Sequence, residues 1–135
     1  MKEKKTNRAV SALIFKSDKF LILKRVGEPQ IWGPAGGRVS RGETMGEAIK
    51  REIREETGLT DIDILMPITF WSGKHGKNKL EAICFLCQYN SGKVVLSDEH
   101  EAYQWATIER INKLSVTHSL SDFKLAKKII KIISH

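Results

Sequence analysis

Cysteine and proline are both scarce in this chain of 135 residues, with two of the first and three of the second. Two thiols cannot supply the disulfide framework of a small secreted protein and suit a reducing compartment, so the cytoplasm is the expected location. With ten glycines and three prolines, collagen-like and mucin-like chains are excluded. No apolar run approaches the roughly 18 to 20 residues of a membrane span. The charged start, Met1 to Arg8, leads directly into a strand-like segment without the long apolar region and cleavage site of a leader peptide. A membrane partner is not expected. Acidic residues are the minority, 16 against 23 basic ones, and the net charge of +7 favours anionic ligands without naming them; the same charge also serves solubility. At 41% hydrophobic and 29% charged, the chain is neither disordered nor fibrous. Its length allows one domain over residues 1–135 and is too short for two.

Apolar patterning predicts two strands, Arg8 to Lys16 and Phe20 to Leu23, joined by a turn at Ser17-Asp18-Lys19. Both are apolar on two faces, as in a sheet covered on two sides. Glycine and proline punctuation marks Arg25 to Gly42 as mostly loop. Further strands are expected at Asp61 to Trp71 and Lys79 to Tyr89, separated by a polar loop over 72–78, then briefly at Val94-Val95 and again at Tyr103 to Thr107. A short helix is expected over Ile108 to Leu114. Ser121 to Ile133 reads as an amphipathic helix, with Phe123, Leu125, Ala126, Ile129, Ile130 and Ile133 opposite a lysine-rich face. The expected architecture is a single α/β domain in three layers, α/β/α.

Between these segments, Thr44 and Glu47 have the spacing of a capping box, and Gly58 is suited to a left-handed helix end. A helix between them places Glu52, Glu55 and Glu56 within an arc of roughly 100°, beside Met45, Ala48 and Ile49. Two readings of these carboxylates stand at this stage. Glu47, Arg51 and Glu55 form an opposite-charge ladder of the kind found on any solvated helix. The ladder leaves Glu52 and Glu56 unexplained, and a cluster of hard oxygen donors suits Mg²⁺ or Mn²⁺.

The segment from Gly37 to Leu59 resembles the Nudix box at each of its nine specified positions: Gly37, Glu43, Arg51, Glu52, Ile53, Glu55, Glu56, Gly58 and Leu59. The flanking strands, the acidic loop before Trp105 and the C-terminal helix are also similar to the Nudix hydrolase family, MutT-like proteins with an α/β/α sandwich and a mixed sheet. The resemblance implies metal-dependent hydrolysis of a pyrophosphate bond in a nucleoside di- or triphosphate derivative. It implies Mg²⁺ or Mn²⁺ held by Glu52, Glu55, Glu56 and the backbone carbonyl of Gly36, with Arg51 orienting the carboxylates and Glu43 auxiliary. It also implies a catalytic base on the loop Ser97 to Glu101, where Glu99 has the best spacing and Asp98 and Glu101 are rivals. Arg25 resembles a phosphate-contacting position, and Arg38 follows the first box glycine. Trp32, Phe70 and Trp71 are candidates for stacking on a base, although large aromatics near strands more often pack in a core.

The downstream patterns of the NADH, coenzyme A and ADP-ribose subfamilies are not found, so the resemblance leaves the nucleotide open. Removal of diphosphate from RNA 5′ ends and a purely nucleotide- or RNA-binding role are the alternatives. A monomer or a homodimer is expected. Cys84 and Cys87 spell C-x-x-C, but residues three apart in a strand face opposite ways, and no second ligand pair accompanies them. His118, in Thr117-His118-Ser119, has two readings, entry into the site from a loop and, the more common one, a place at the surface. Lys124, Lys127, Lys128 and Lys131 read as the solvated face of the last helix.

Overall fold

A computed structural model describes residues 5–134. Met1 to Lys4, part of the segment read above for a leader, lie outside the described residues. The elements in order are β1 (Lys5–Lys16), β2 (Lys19–Arg25), β3 (Trp32–Gly33), β4 (Ala35–Ser40), α1 (Met45–Thr57), β5 (Asp61–His75), β6 (Asn78–Ser91), β7 (His100–Ala106), α2 (Ile108–Ile111) and α3 (Leu120–Ile133).

Seven strands form one mixed sheet in the order β3-β2-β1-β6-β5, with β4 also pairing β1 and β7 also pairing β2. The β1–β6 pair is parallel, with Ala12 opposite Phe85, whereas the other pairs are antiparallel. Alternation along the central strands divides their side chains between two cores. Val10, Ala12, Ile14, Leu21, Leu23, Phe85 and Cys87 meet Ala48, Ile49 and Ile53 of α1. Leu13, Phe15, Phe20, Ile22, Cys84 and Leu86 meet Ile111 of α2 and Phe123 and Ala126 of α3. The result is the expected α/β/α sandwich. It also places Cys84 and Cys87 in different cores, free and buried. Among the described residues, no helix is long and apolar enough to cross a membrane.

Several boundaries differ from the sequence reading. The glycine-rich stretch expected as loop contains β3 and β4, and Gly36 and Gly37 pair with Ser11 and Val10 of β1. Tertiary pairing has overridden the local punctuation. The loop expected over 72–78 is mostly strand, since β5 and β6 stay paired as far as His75 and Asn78 and turn at Gly76-Lys77. Val94 and Val95 are not a strand; Val94 is buried against the α1 core, and the Val95 N–H donates to the Thr57 carbonyl at 2.8 Å. The strand expected from Tyr103 begins at His100. On α3, Leu125 and Ile133 are exposed rather than part of the apolar face.

Candidate active site

Helix α1 starts and stops where its end residues require. Thr44 Oγ1 accepts the Glu47 N–H at 3.0 Å, and Glu47 Oε1 accepts the Thr44 N–H at 2.9 Å. Gly58 closes the helix at φ +73°, a conformation that a side chain would strain. The helix packs on β1 and β4, and so turns Glu52 and Glu56, one turn apart, toward the sheet. Each is only 8% exposed, an unusual degree of burial for a carboxylate. Glu55 faces outward, with its side chain 53% exposed.

Arg51 organises the outer part of this cluster. Its Nε and Nη2 donate to the two oxygens of Glu43 at 2.7 and 3.0 Å, a bidentate pair. Nη1 donates to Glu52 at 2.8 Å and Glu55 at 3.3 Å, and Nη2 also reaches the Arg38 carbonyl at 3.1 Å. These five bonds match the five N–H groups of a guanidinium. Glu43 also accepts the Ser40 N–H at 2.9 Å, which fixes the pair to the end of β4. The Arg51 guanidinium holds the Glu43 carboxyl down at about 2, and Glu43 in turn raises Arg51. The ladder expected along the helix is only half formed, because Glu47 is occupied at the cap.

Glu52 and Glu56 are governed by burial, which raises both pKa values above the usual carboxylate range. For Glu52 the nearby Arg51 opposes the rise. Glu56 is pushed up to about 7 by burial, with the Gly36 N–H opposing and the charges of Glu52, Glu99 and Glu55 adding to it. Oε1 of Glu56 accepts that Gly36 N–H at 2.8 Å. The Glu52 carboxylate lies against the α-carbon of Gly37, where a Cβ would stand 2.6 Å from Oε1, so any side chain at 37 would displace that carboxylate.

A cavity of about 470 Å³ opens beside Glu56, and Arg25, Gly36, Glu99, His100 and Thr117 are among its lining residues. The structure therefore brings together Glu56, Glu99, Gly36 and Arg25. It also separates the three acidic residues of the loop. Asp98 is not among the lining residues, and Glu101 is engaged by Lys24 and by the Gly27 N–H. Glu52 and Glu55 stand behind Glu56 on α1, outside the lining. Arg38 points its side chain at the Thr6 carbonyl, 3.5 Å away, and meets Arg51 through its own carbonyl. Trp32, a candidate for stacking, is 8% exposed and packed in the α2/α3 core.

A second cavity, of about 420 Å³, shares Thr117 with the first and is lined in part by Thr69, Trp71, Cys84, His118 and Asp122. The other two stacking candidates are exposed, Trp71 by 51% and Phe70 by 57%. The Trp71 indole lies against Gly73, where a Cβ would come within 2.5 Å of the ring. His118 is half-buried rather than at the surface, with Nε2 2.9 Å from Ser11 Oγ and Nδ1 3.3 Å from Thr117 Oγ1. Burial lowers its pKa. His100 and Thr117 escaped the sequence reading. A strand begun at Tyr103 gave His100 no face, and nothing local signals that Thr117 lines both cavities.

Among the described residues, no three acidic, histidine or cysteine side chains converge as a ready metal cluster. The donor set nonetheless suits a hard divalent cation. Glu52 and Glu56 are buried carboxylates whose charges, with those of Glu55 and Glu99, oppose one another, and a cation relieves that repulsion.

Comparison with known proteins follows the same lines. The NUDIX domain family matches residues 5–127. An ADP-ribose pyrophosphatase of Methanocaldococcus jannaschii is 29% identical over 113 residues, covering 82% of this chain and 67% of its own. A nucleoside triphosphatase NudI of Salmonella heidelberg is 30% identical over 116 residues, covering 76% of this chain and 82% of its own. The crystal structure of a MutT protein from Methanosarcina mazei superimposes with a TM-score of 0.77 at 28% identity, covering 92% of this chain and 94% of that one.

Proposed function

The chain belongs to the NUDIX domain family as a Nudix hydrolase, a nucleotide pyrophosphatase, and on that premise we propose that it cleaves the pyrophosphate linkage of a nucleoside di- or triphosphate derivative with Mg²⁺ or Mn²⁺. The observation that carries this reading is Glu56, buried on α1, tied to the Gly36 N–H and facing a cavity shared with Glu99 and Arg25. Glu52, Glu55, Glu56 and the Gly36 carbonyl are the groups that would hold the cation. When bound, it neutralises phosphate charge and acidifies the attacking water. Arg51, anchored by Glu43, sets the orientation of Glu52 and Glu55. Glu99 takes the proton of the attacking water; of the three acidic candidates it is the one that lines the cavity, while Glu101 is paired. Arg25 meets a phosphate. Arg38 supports Arg51 through its carbonyl, and we assign neither Arg38 nor Trp32 a contact with substrate.

Of the three aromatic candidates, Trp71 takes the stacking role, because it stands half-exposed and lines a cavity that shares Thr117 with the first. Base stacking on an aromatic is worth about 1–3 kcal/mol. Replacing Trp71 by Ala is therefore expected to raise KM for nucleotides about tenfold, with kcat changed less. Equal KM values for variant and parent would remove Trp71 from the substrate site. The proposal places the enzyme in the cytoplasm, in keeping with two free thiols.

The direct test measures phosphate and pyrophosphate release from nucleoside triphosphates, oxidised nucleotides, dinucleoside polyphosphates and nucleotide sugars, with Mg²⁺, Mn²⁺ or EDTA. Turnover of one class, abolished by EDTA, is the expected result. Turnover restricted to triphosphorylated RNA would redirect the assignment to RNA ends, and folded protein inactive on every substrate would overturn it.

A further inference from the structure

Backbone pairing determines what faces the cavity beside Glu56. Along β2 and β7, Leu23 pairs with Tyr103 and Lys24 with Ala102, but Arg25 pairs with His100, so the register slips at Glu101. A bulge of this kind re-aims the side chains around it. Here Glu101 leaves the ladder, bonds Lys24 and accepts the Gly27 N–H at 3.2 Å. His100 is carried opposite Arg25, and both line the cavity that holds Glu56 and Glu99.

The environment of the ring decides its protonation. Nδ1 of His100 is buried and has no hydrogen-bond partner among the described residues. A proton there would be a buried, unpaired donor, which costs more free energy than a bare lone pair. An imidazolium would carry the same unpaired donor together with a buried charge. The ring is therefore neutral, with its proton on Nε2. Burial lowers its pKa, in the same direction.

Resting on the pyrophosphatase reading above, we propose that His100 is a substrate-binding residue whose neutral imidazole donates Nε2–H to a phosphate oxygen held beside Arg25. Phosphate oxygens only accept, and the Arg25 guanidinium across the ladder supplies the charge, while His100 supplies direction. The sequence reading assigned this residue no role.

The test uses methylenediphosphonate, a hydrolysis-resistant P–C–P analogue without a nucleoside, bound in the presence of Mg²⁺ and followed by calorimetry. His100→Ala and His100→Phe, the second of which keeps the ring's bulk, are each expected to weaken binding about tenfold. His100→Gln keeps an amide N–H and should bind within about threefold of the parent. Nucleotide KM should rise in parallel with these losses while kcat changes less, and ¹⁵N spectra should show the Nε2–H tautomer. Unchanged binding in the Ala and Phe variants, failure of Gln to rescue, absence of binding by the parent, or an Nδ1–H tautomer would each overturn the contact. If the parent binds the diphosphonate through His100 yet hydrolyses no nucleotide, the contact stands and the pyrophosphatase reading falls. If nucleotides are turned over with equal KM by parent and His100→Ala, the contact falls and that reading stands.

Discussion

Glu56→Gln is expected to reduce turnover by roughly 10³-fold or more while making the metal-free protein more stable above neutral pH. The two effects share one cause. Glu56 is 8% exposed, and burial pushes its pKa up to about 7 from an ordinary value of 4.5. A carboxyl group with a raised folded-state pKa binds its proton more tightly in the native than in the unfolded chain. Native stability therefore falls as pH rises from about 4.5 to about 7, then changes no further on this account. The accumulated cost is about 3 kcal/mol, equivalent to roughly 10 °C in the unfolding midpoint of a domain this size. Gln carries no charge, and its amide oxygen can still accept the Gly36 N–H. Thermal unfolding in EDTA should separate variant and parent at pH 8 and bring them together near pH 4.5. Adding Mg²⁺ at pH 8 should raise the midpoint of the parent and leave the variant nearly unmoved. Near-normal turnover by Glu56→Gln would remove Glu56 from the chemistry, and identical midpoints at pH 8 would show that its charge is not buried at a cost.

Arg51→Ala is expected to cost about 3–5 kcal/mol of stability and to lower activity roughly 10- to 100-fold. Removing the guanidinium strands three carboxylates, of which Glu43 and Glu52 have side chains only 15% and 10% exposed. Arg51→Lys should recover only part of the loss, because an ammonium restores the charge but not the planar fork that grips both oxygens of Glu43. The acid limb gives a second readout. The folded-state pKa of Glu43 is held down at about 2, so its stabilising contribution is complete above about 4.5 and disappears as pH falls toward 2. In Arg51→Ala that part of the acid dependence should vanish. An Arg51→Ala protein as stable as the parent, with the same acid profile, would show that Glu43 and Glu52 do not depend on this residue.

Local signals located much of this molecule. The capping box at Thr44 and the left-handed Gly58 bounded α1 correctly, since both depend on side chains within one turn of the helix end. Helical periodicity also put Glu52 and Glu56 on the face that the protein buries. Trp32 and Trp71 show the opposite situation. Each stands in or beside a strand, and composition could not tell which was covered, because burial depends on what packs from elsewhere: the α2/α3 core covers Trp32, whereas Trp71 is left 51% exposed. His118 was likewise expected at the surface, and its partner Ser11 lies 107 residues away along the chain.

What the amino-acid sequence by itself determined was the carboxylate helix, the doubly covered strands, the family and its class of chemistry, because hydrophobic period and motif spacing are properties of neighbours in the chain. The tertiary structure alone decided that Arg25 and His100 share a wall, and it puts Glu99, the residue that spacing already favoured, in the lining of the cavity beside Glu56. That shared wall turns on a one-residue slip between β2 and β7, and the register of two strands nearly eighty residues apart is a long-range contact that no local pattern encodes.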